Sequence, residues 1–311
     1  MARDCMKGHA VAFPIKLYSP QEIEGNAQSH FFVEASASST ANLSANVREY
    51  LSALGIDNPD GDVEMGALVW MHALAIGYSP TYLSENADGI RGDWPRVPLP
   101  ADADALRRSA ELGRRVAALL AYDPADASTN SPLLRGVITS PLRAEMRVVG
   151  AVSRAGGGQL QSSEGEYALD ANWGNATPKG VMPGRGKVEE RVYTEEERVA
   201  IAEGAAALGL PEEEAFRRLG GKTFDVYMND VGYWRNIPAR VWGYHIGGYQ
   251  VIKKWLSYRE RGVLGRDLSI AEVNEVRDMA RRIAAILLLE PALDENYNSV
   301  KQNAYAWPAS A

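Results

Sequence analysis

Two glycine-rich stretches invite a phosphate-binding reading. LGGKT (219–223) ends like the loop that wraps nucleotide phosphates, and GVMPGRGK (180–187) has a similar run of small residues before a lysine. That chemistry needs a glycine five positions before the Gly of Gly-Lys-Thr, a strand before the loop and a helix after it. Phe216 stands where the first glycine is needed, and the order of elements around 219–223 reads helix then strand, the reverse of the requirement. In the second stretch one residue too many separates Gly180 from Gly186, and Val188 replaces the hydroxyl that would hold magnesium. The other reactive types are equally dispersed. Cys5 stands alone, which excludes an internal disulfide and suits a reducing compartment. His9, His30, His72 and His245 show no metal-ligand spacing. His72 lies inside an apolar run and reads as a core histidine with satisfied ring nitrogens before it reads as a ligand. Pairs such as Glu189–Glu190 read as solvent-facing. The residues point to a chain that binds rather than transforms.

What it binds is suggested by how charge is distributed. The formal net charge is −7, yet residues 20–104 hold 13 acids and three bases, whereas residues 221–266 hold eight bases and three acids, and residues 135–187 seven bases and four acids. Such asymmetry points to a polyanion partner for the basic part. Its densest stretch is YWRNIPARVWGYHIGGYQVIKKWLSYRERG (233–262), with six basic residues, one acid and seven aromatics. There is no run of about 18 apolar residues and no secretory leader pattern, so no membrane span is expected and the cytoplasm is the expected compartment.

These residues have to be held by elements with their own signals. SANVREYLSALGI reads as a helix capped by Ser44, and EMGALVWMHALAIGY (64–78) as a helix buried on most sides. ADALRRSAELGRRVAALLAYD (103–123) is amphipathic, and 123–132 is a linker candidate. LLRGVITS, EMRVVGAVS, EYALDANW and KTFDVYMN read as strands, and GNATPKGVMPGRG (174–186) as a flexible basic loop. A capping box from Thr194 to Glu197 starts a helix that ends near Gly209, PEEEAFRRLG is a short helix, and Ser269 caps a long one. A helix is expected over 248–261, with Val251, Ile252, Trp255 and Leu256 inward. No internal repeat is visible.

One order of residue types is far more specific than any of these signals. VW-x-Y-x-I-G-G-Y-Q-V-x-x-x-W-L is carried by Val241, Trp242, Tyr244, Ile246, Gly247, Gly248, Tyr249, Gln250, Val251, Trp255 and Leu256. With its flanks (224–289) it resembles the C-terminal specificity region of Type ISP restriction–modification enzymes. FPIKLY (13–18), Tyr78-Ser-Pro-x-Tyr82 and DWPRVPLP (93–100) resemble the part of those enzymes that follows the methyltransferase core. Residues 124–222 are the least similar. The resemblance implies a non-catalytic target-recognition piece of an N6-adenine DNA methyltransferase and restriction system, of the kind used in phage defence. The family's methyl-donor and flipped-adenine motifs are missing, Asn130-Ser131-Pro132-Leu133 being the nearest approach, and helicase and nuclease motifs are missing too. No cofactor is therefore expected in this chain; S-adenosylmethionine belongs to a partner domain.

The expected architecture is α+β: a mainly helical connector (1–125) that packs on a methyltransferase, then a mixed β/α target-recognition domain (126–311) with closing C-terminal helices. The expected partners are duplex DNA and an adenine methyltransferase or restriction subunit, without a membrane. Arg235 and Asn236, on a presumed strand-to-loop turn, have side chains able to read guanine and adenine edges. Gly247 and Gly248 offer either a phosphate cradle at a helix start or a tight turn, and Gln250 either a contact or a cap. Lys253 and Lys254 face away from the apolar side of their helix, toward solvent or a DNA backbone. Arg143, Arg147, Arg185 and Lys187 add charge upstream. Trp242, Tyr249 and Trp255 read as core anchors before base-stacking groups. The alternative is an interaction module, or an orphan remnant, that binds a restriction–modification subunit and has no DNA affinity of its own.

Overall fold

The computed structural model describes residues 14–19, 38–120 and 146–308. Cys5, His9, His30, Arg143, the 123–132 linker, the LLRGVITS segment and the boundary expected at 125/126 lie outside the described residues. The described chain forms two compact units: residues 146–290 in one, and residues 14–19, 38–120 and 291–308 in the other.

The second of these is mainly helical. A short antiparallel pair, β1 (Lys16–Ser19) and β2 (Ser38–Ala41), precedes α1 (Ala45–Ala53), α2 (Val63–Gly77), α3 (Pro80–Glu85), α4 (Ala87–Gly92) and α5 (Ala103–Leu120). The starts follow the capping rules: the Ser44 hydroxyl accepts from the Val47 amide, the Asp62 carboxylate from the Glu64 amide, and Ser79 precedes a proline in the first turn of α3. α2 lies along α5, buried on most sides as its composition predicts. The crossing is close because α5 carries Gly113 there, where a Cβ would lie 1.8 Å from the Met71 carbonyl oxygen. Tyr50, Leu51, Leu68, Leu106 and Ala110 form the core. His72 is fully buried: Nε2–H donates to the Pro98 carbonyl at 2.8 Å, and Nδ1 accepts from the Ser109 hydroxyl at 2.7 Å. It is the satisfied core histidine that its setting predicts. Burial lowers its pKa to about 4.

The other unit is built on a four-stranded antiparallel sheet in the order β3 (Ala151–Arg154), β8 (Gly232–Pro238), β7 (Thr223–Tyr227), β6 (Val188–Arg191). Between β6 and β7 run α6 (Glu195–Ala206), which has the full Thr194–Glu197 capping box, and α7 (Glu212–Leu219). After β8 come α8 (Ala239–Trp242), the two-residue strands β9 (His245–Ile246) and β10 (Tyr249–Gln250), α9 (Val251–Arg259), α10 (Arg261–Leu264) and α11 (Ile270–Gln302), whose residues from Pro291 onward are counted in the helical unit. Ser269 caps α11: its hydroxyl accepts from the Glu272 amide. Arg266, with the Ser269 amide and hydroxyl, holds the Glu272 carboxyl down to about 2. Trp234, Trp255, Trp173, Ile237, Leu256 and Val276 lie in one core, each such burial being worth roughly 1.5–3 kcal/mol.

Three expectations change. EYALDANW forms no ladder. Its backbone is spent on separate partners: the Asp170 and Ala171 amides on the Met228 carbonyl, and the Leu169 carbonyl on the Arg261 amide, so that Leu169 and Trp173 enter the core from an irregular segment. In EMRVVGAVS only the end is strand, because residues 146–150 are a turn. The supposed loop 174–186 contains a β-hairpin, β4 (Gly174–Thr177) paired with β5 (Gly180–Pro183). Pro178 and Lys179 make its two-residue turn, and the Thr177 hydroxyl closes it by donating to the Gly180 carbonyl at 2.6 Å.

Candidate nucleic-acid interface

β8 carries an extra residue opposite Asp225: Phe224 faces Ile237 and Val226 faces Trp234, so Arg235 and Asn236 together span one position of β7. Asn236 takes the left-handed conformation that the bulge requires, with φ +59°. It is fully buried. Its amide N–H donates to the Asp225 carboxylate at 2.9 Å, its Oδ1 accepts from the Thr223 hydroxyl at 2.8 Å, and its Nδ2 donates to the Val148 carbonyl at 3.2 Å. In this arrangement it offers nothing to a base edge, and the turn expected at 233–236 is instead a bulged strand. Arg235 is partly exposed, but its Nε sits 2.9 Å from Glu197. Glu197 also receives both terminal nitrogens of Arg191, which reaches on to Asp225. Burial alone would raise the Glu197 pKa, but Arg191 and the Thr194 amide carry it below the usual carboxylate range. Arg235 therefore belongs to an internal charge network.

The glycines 247 and 248 are the tip of a second hairpin, not a helix N-terminus. Ile246 pairs with Tyr249, and both glycines have positive φ (+56° and +82°), the pattern of a two-residue turn matched to strand twist. α9 begins only at Val251, whose amide donates to the Tyr244 carbonyl at 3.0 Å. Gln250 makes no side-chain cap; its Nε2 donates to the Trp242 carbonyl at 2.6 Å. Trp255 is a core anchor and Trp242 packs against the core, as expected, but Tyr249 is 56% exposed. Ile252, Trp255 and Leu256 form the buried face of α9.

The β4–β5 hairpin packs on α9. Contact is possible because residue 174 is glycine: a Cβ there would lie 1.9 Å from the Ser257 carbonyl oxygen. The base of the hairpin is fastened by Glu260, between α9 and α10, whose carboxylate accepts from the Asn172 and Trp173 amides at 3.1 and 2.8 Å. Burial pushes this carboxyl up, partly offset by those amides. The Trp173 indole donates to the Tyr227 carbonyl at 2.8 Å.

This junction has a distinct charge character. Residues 171–188 contain no Asp or Glu, nor do residues 231–259, and the hairpin and α9 come one from each run. Many other basic side chains of the unit, Lys187 and Arg240 of these same runs among them, are paired with carboxylates: Arg154 with Glu166, Lys187 with Asp230, Lys222 with Glu190, Arg240 with Glu290, Arg261 with Asp267. Lys179, Arg185, Lys253 and Lys254 have no carboxylate partner among the described residues. Lys254 lies 4.6 Å from the ring centres of both Tyr249 and Tyr258, a cation–π setting that leaves its charge in place. Arg147 is exposed on the 146–150 turn and likewise has no carboxylate partner among the described residues. Neither the role of Glu260 as a fastener nor the pairing of the two acid-free runs is encoded in local sequence; the runs themselves are the signal the sequence carries.

Among the described residues there is no cluster of three or more metal-ligating side chains, and no helix is long and apolar enough to cross a membrane. Comparisons with curated proteins and with solved structures return no match. A family model, the Type ISP C-terminal specificity domain, matches residues 2–286. The chain thus belongs to the Type ISP C-terminal specificity domain family, which gives it a target-recognition role in a restriction–modification system.

Proposed function

We propose that the unit of residues 146–290 recognises a duplex DNA sequence and positions it for an adenine methyltransferase carried elsewhere. The observation that carries this reading is the uncompensated positive charge on the β4–β5 hairpin and α9, in a family whose role is target recognition. The methyl donor and the pocket for a flipped adenine belong to the other domain. The helical unit, rich in acids, serves as the connector to that catalytic part.

A second reading, an interaction module without DNA affinity of its own, is favoured by the 13 acids against three bases in residues 20–104. Binding of the full chain to duplex DNA across a salt series separates the two. DNA recognition predicts binding at low salt that falls steeply as salt rises, because each neutralised phosphate releases condensed counterions. No binding to any duplex at the lowest salt overturns the DNA reading and leaves the interaction module.

A further inference from the structure

We infer that the phosphate backbone of the duplex is held by one platform, the β4–β5 hairpin seated on α9 together with residues 184–186 that are tied to its base by the Trp173 and Asn172 carbonyls, through Lys179, Arg185, Lys253 and Lys254, and that the bulge residues Arg235 and Asn236 build the scaffold. The inference rests on the DNA reading and adds to it which surface is used.

Three observations converge on this surface. The first is compensation. An arginine already paired with a carboxylate adds almost no net positive charge to the surface, so it contributes little to the field that draws a polyanion. Arg191, Arg235, Arg240 and Arg261 are all in that position. The four platform cations are not, and Glu260, the acid at the base of the hairpin, is buried with its carboxylate turned to the Asn172 and Trp173 amides. The second is rigidity. Lys179 occupies the turn of a closed two-residue hairpin, and that hairpin is pinned by Gly174 against Ser257 and by Glu260 at its base. Lys253 and Lys254 stand on a helix whose other face is buried in the core. A fixed backbone frame leaves only the side chains to be ordered when a phosphate arrives, with no loop to be ordered as well. The third is the apolar surface beside them. Met182 on β5 is 59% exposed and Tyr249 on β10 is 56% exposed, and the Tyr249 ring centre lies 4.6 Å from the Lys254 ammonium. Nucleic-acid surfaces combine these features, with cations along the backbone and apolar or aromatic groups toward sugars and bases.

The test is a salt titration of full-chain binding to a random-sequence duplex, read by fluorescence anisotropy. In the variant Lys179→Gln, Arg185→Gln, Lys253→Gln, Lys254→Gln, the slope of log K against log salt is expected to shrink by about one for each phosphate contact removed, three to four in all. A control with the same charge change at cations paired with carboxylates (Arg198 with Glu212, Arg217 with Glu214, Lys222 with Glu190, Arg277 with Asp278), namely Arg198→Gln, Arg217→Gln, Lys222→Gln, Arg277→Gln, is expected to keep the slope within about one. Circular dichroism verifies that both are folded. Lys179→Gln alone, at an exposed turn, is expected to lower the slope by about one without any folding question. If the parent chain binds and the platform variants keep its slope, or the control loses as much as the quadruple variant, the placement is overturned while DNA binding stands. If the parent chain binds no duplex, the DNA reading itself has failed.

Discussion

Asn236 shows how a residue type suited to reading adenine can be required for something else. A left-handed backbone position inside a strand selects Gly or Asn, and Asn also satisfies the Thr223 hydroxyl and the Val148 carbonyl. Asn236→Ala should cost about 2–3 kcal/mol, from lost buried hydrogen bonds and left-handed strain together. Asn236→Gly should recover about 1 kcal/mol of that, since only the strain is relieved. Urea unfolding of the three proteins should rank them parent, Gly, Ala. If Ala is as stable as the parent, the bulge does not depend on Asn. The motif was legible in the sequence; the bulge was not, because it arises from register between β7 and β8, a non-local pairing.

At the scale of elements, the β4–β5 hairpin is defined by what it packs on. Gly174→Ala places a methyl carbon where the Ser257 carbonyl oxygen already lies, so the hairpin has to lift from α9. Overpacking of this kind costs about 1–3 kcal/mol. Amide hydrogen exchange should quicken at Asn172 and Trp173, whose amides are held by Glu260, before it quickens in the sheet. Unchanged exchange at those two amides would mean the hairpin is not seated by that contact. The helices were readable because their signals are local: Ser44, Thr194 and Ser269 each begin a helix at the residue that composition and spacing indicate. The hairpin read as a loop because four-residue strands rich in Gly and Pro carry no alternating pattern, and packing on α9 supplies what propensity lacks.

Across the molecule, charge and protonation divide between the two units. The helical unit contains the buried His72, whose pKa is near 4 when folded and rises to the ordinary value of about 6.5 when unfolded. The unfolded chain therefore takes up the proton first as pH falls. Stability of this unit should decline between about pH 6.5 and 4, by on the order of 3 kcal/mol over the full window. Thermal denaturation against pH, followed for the parent and for His72→Gln, should show the decline in this window only in the parent. An equal decline in both would assign it to other groups. In the other unit the proposed DNA contact makes salt the variable to test, because each phosphate neutralised by a platform cation would release condensed counterions.

By itself the sequence determined the family, through the ordered run from Val241 to Leu256, and most of the helices, through caps and apolar spacing. It also determined which stretches lack acids. Only the tertiary structure decided which charges remain free. Arg235 and Lys253 are equally basic on paper, yet one faces Glu197 and the other has no carboxylate neighbour among the described residues. Whether a cation is compensated depends on which distant segment folds against it, and that is a property of packing and strand register, beyond what composition or local spacing encodes.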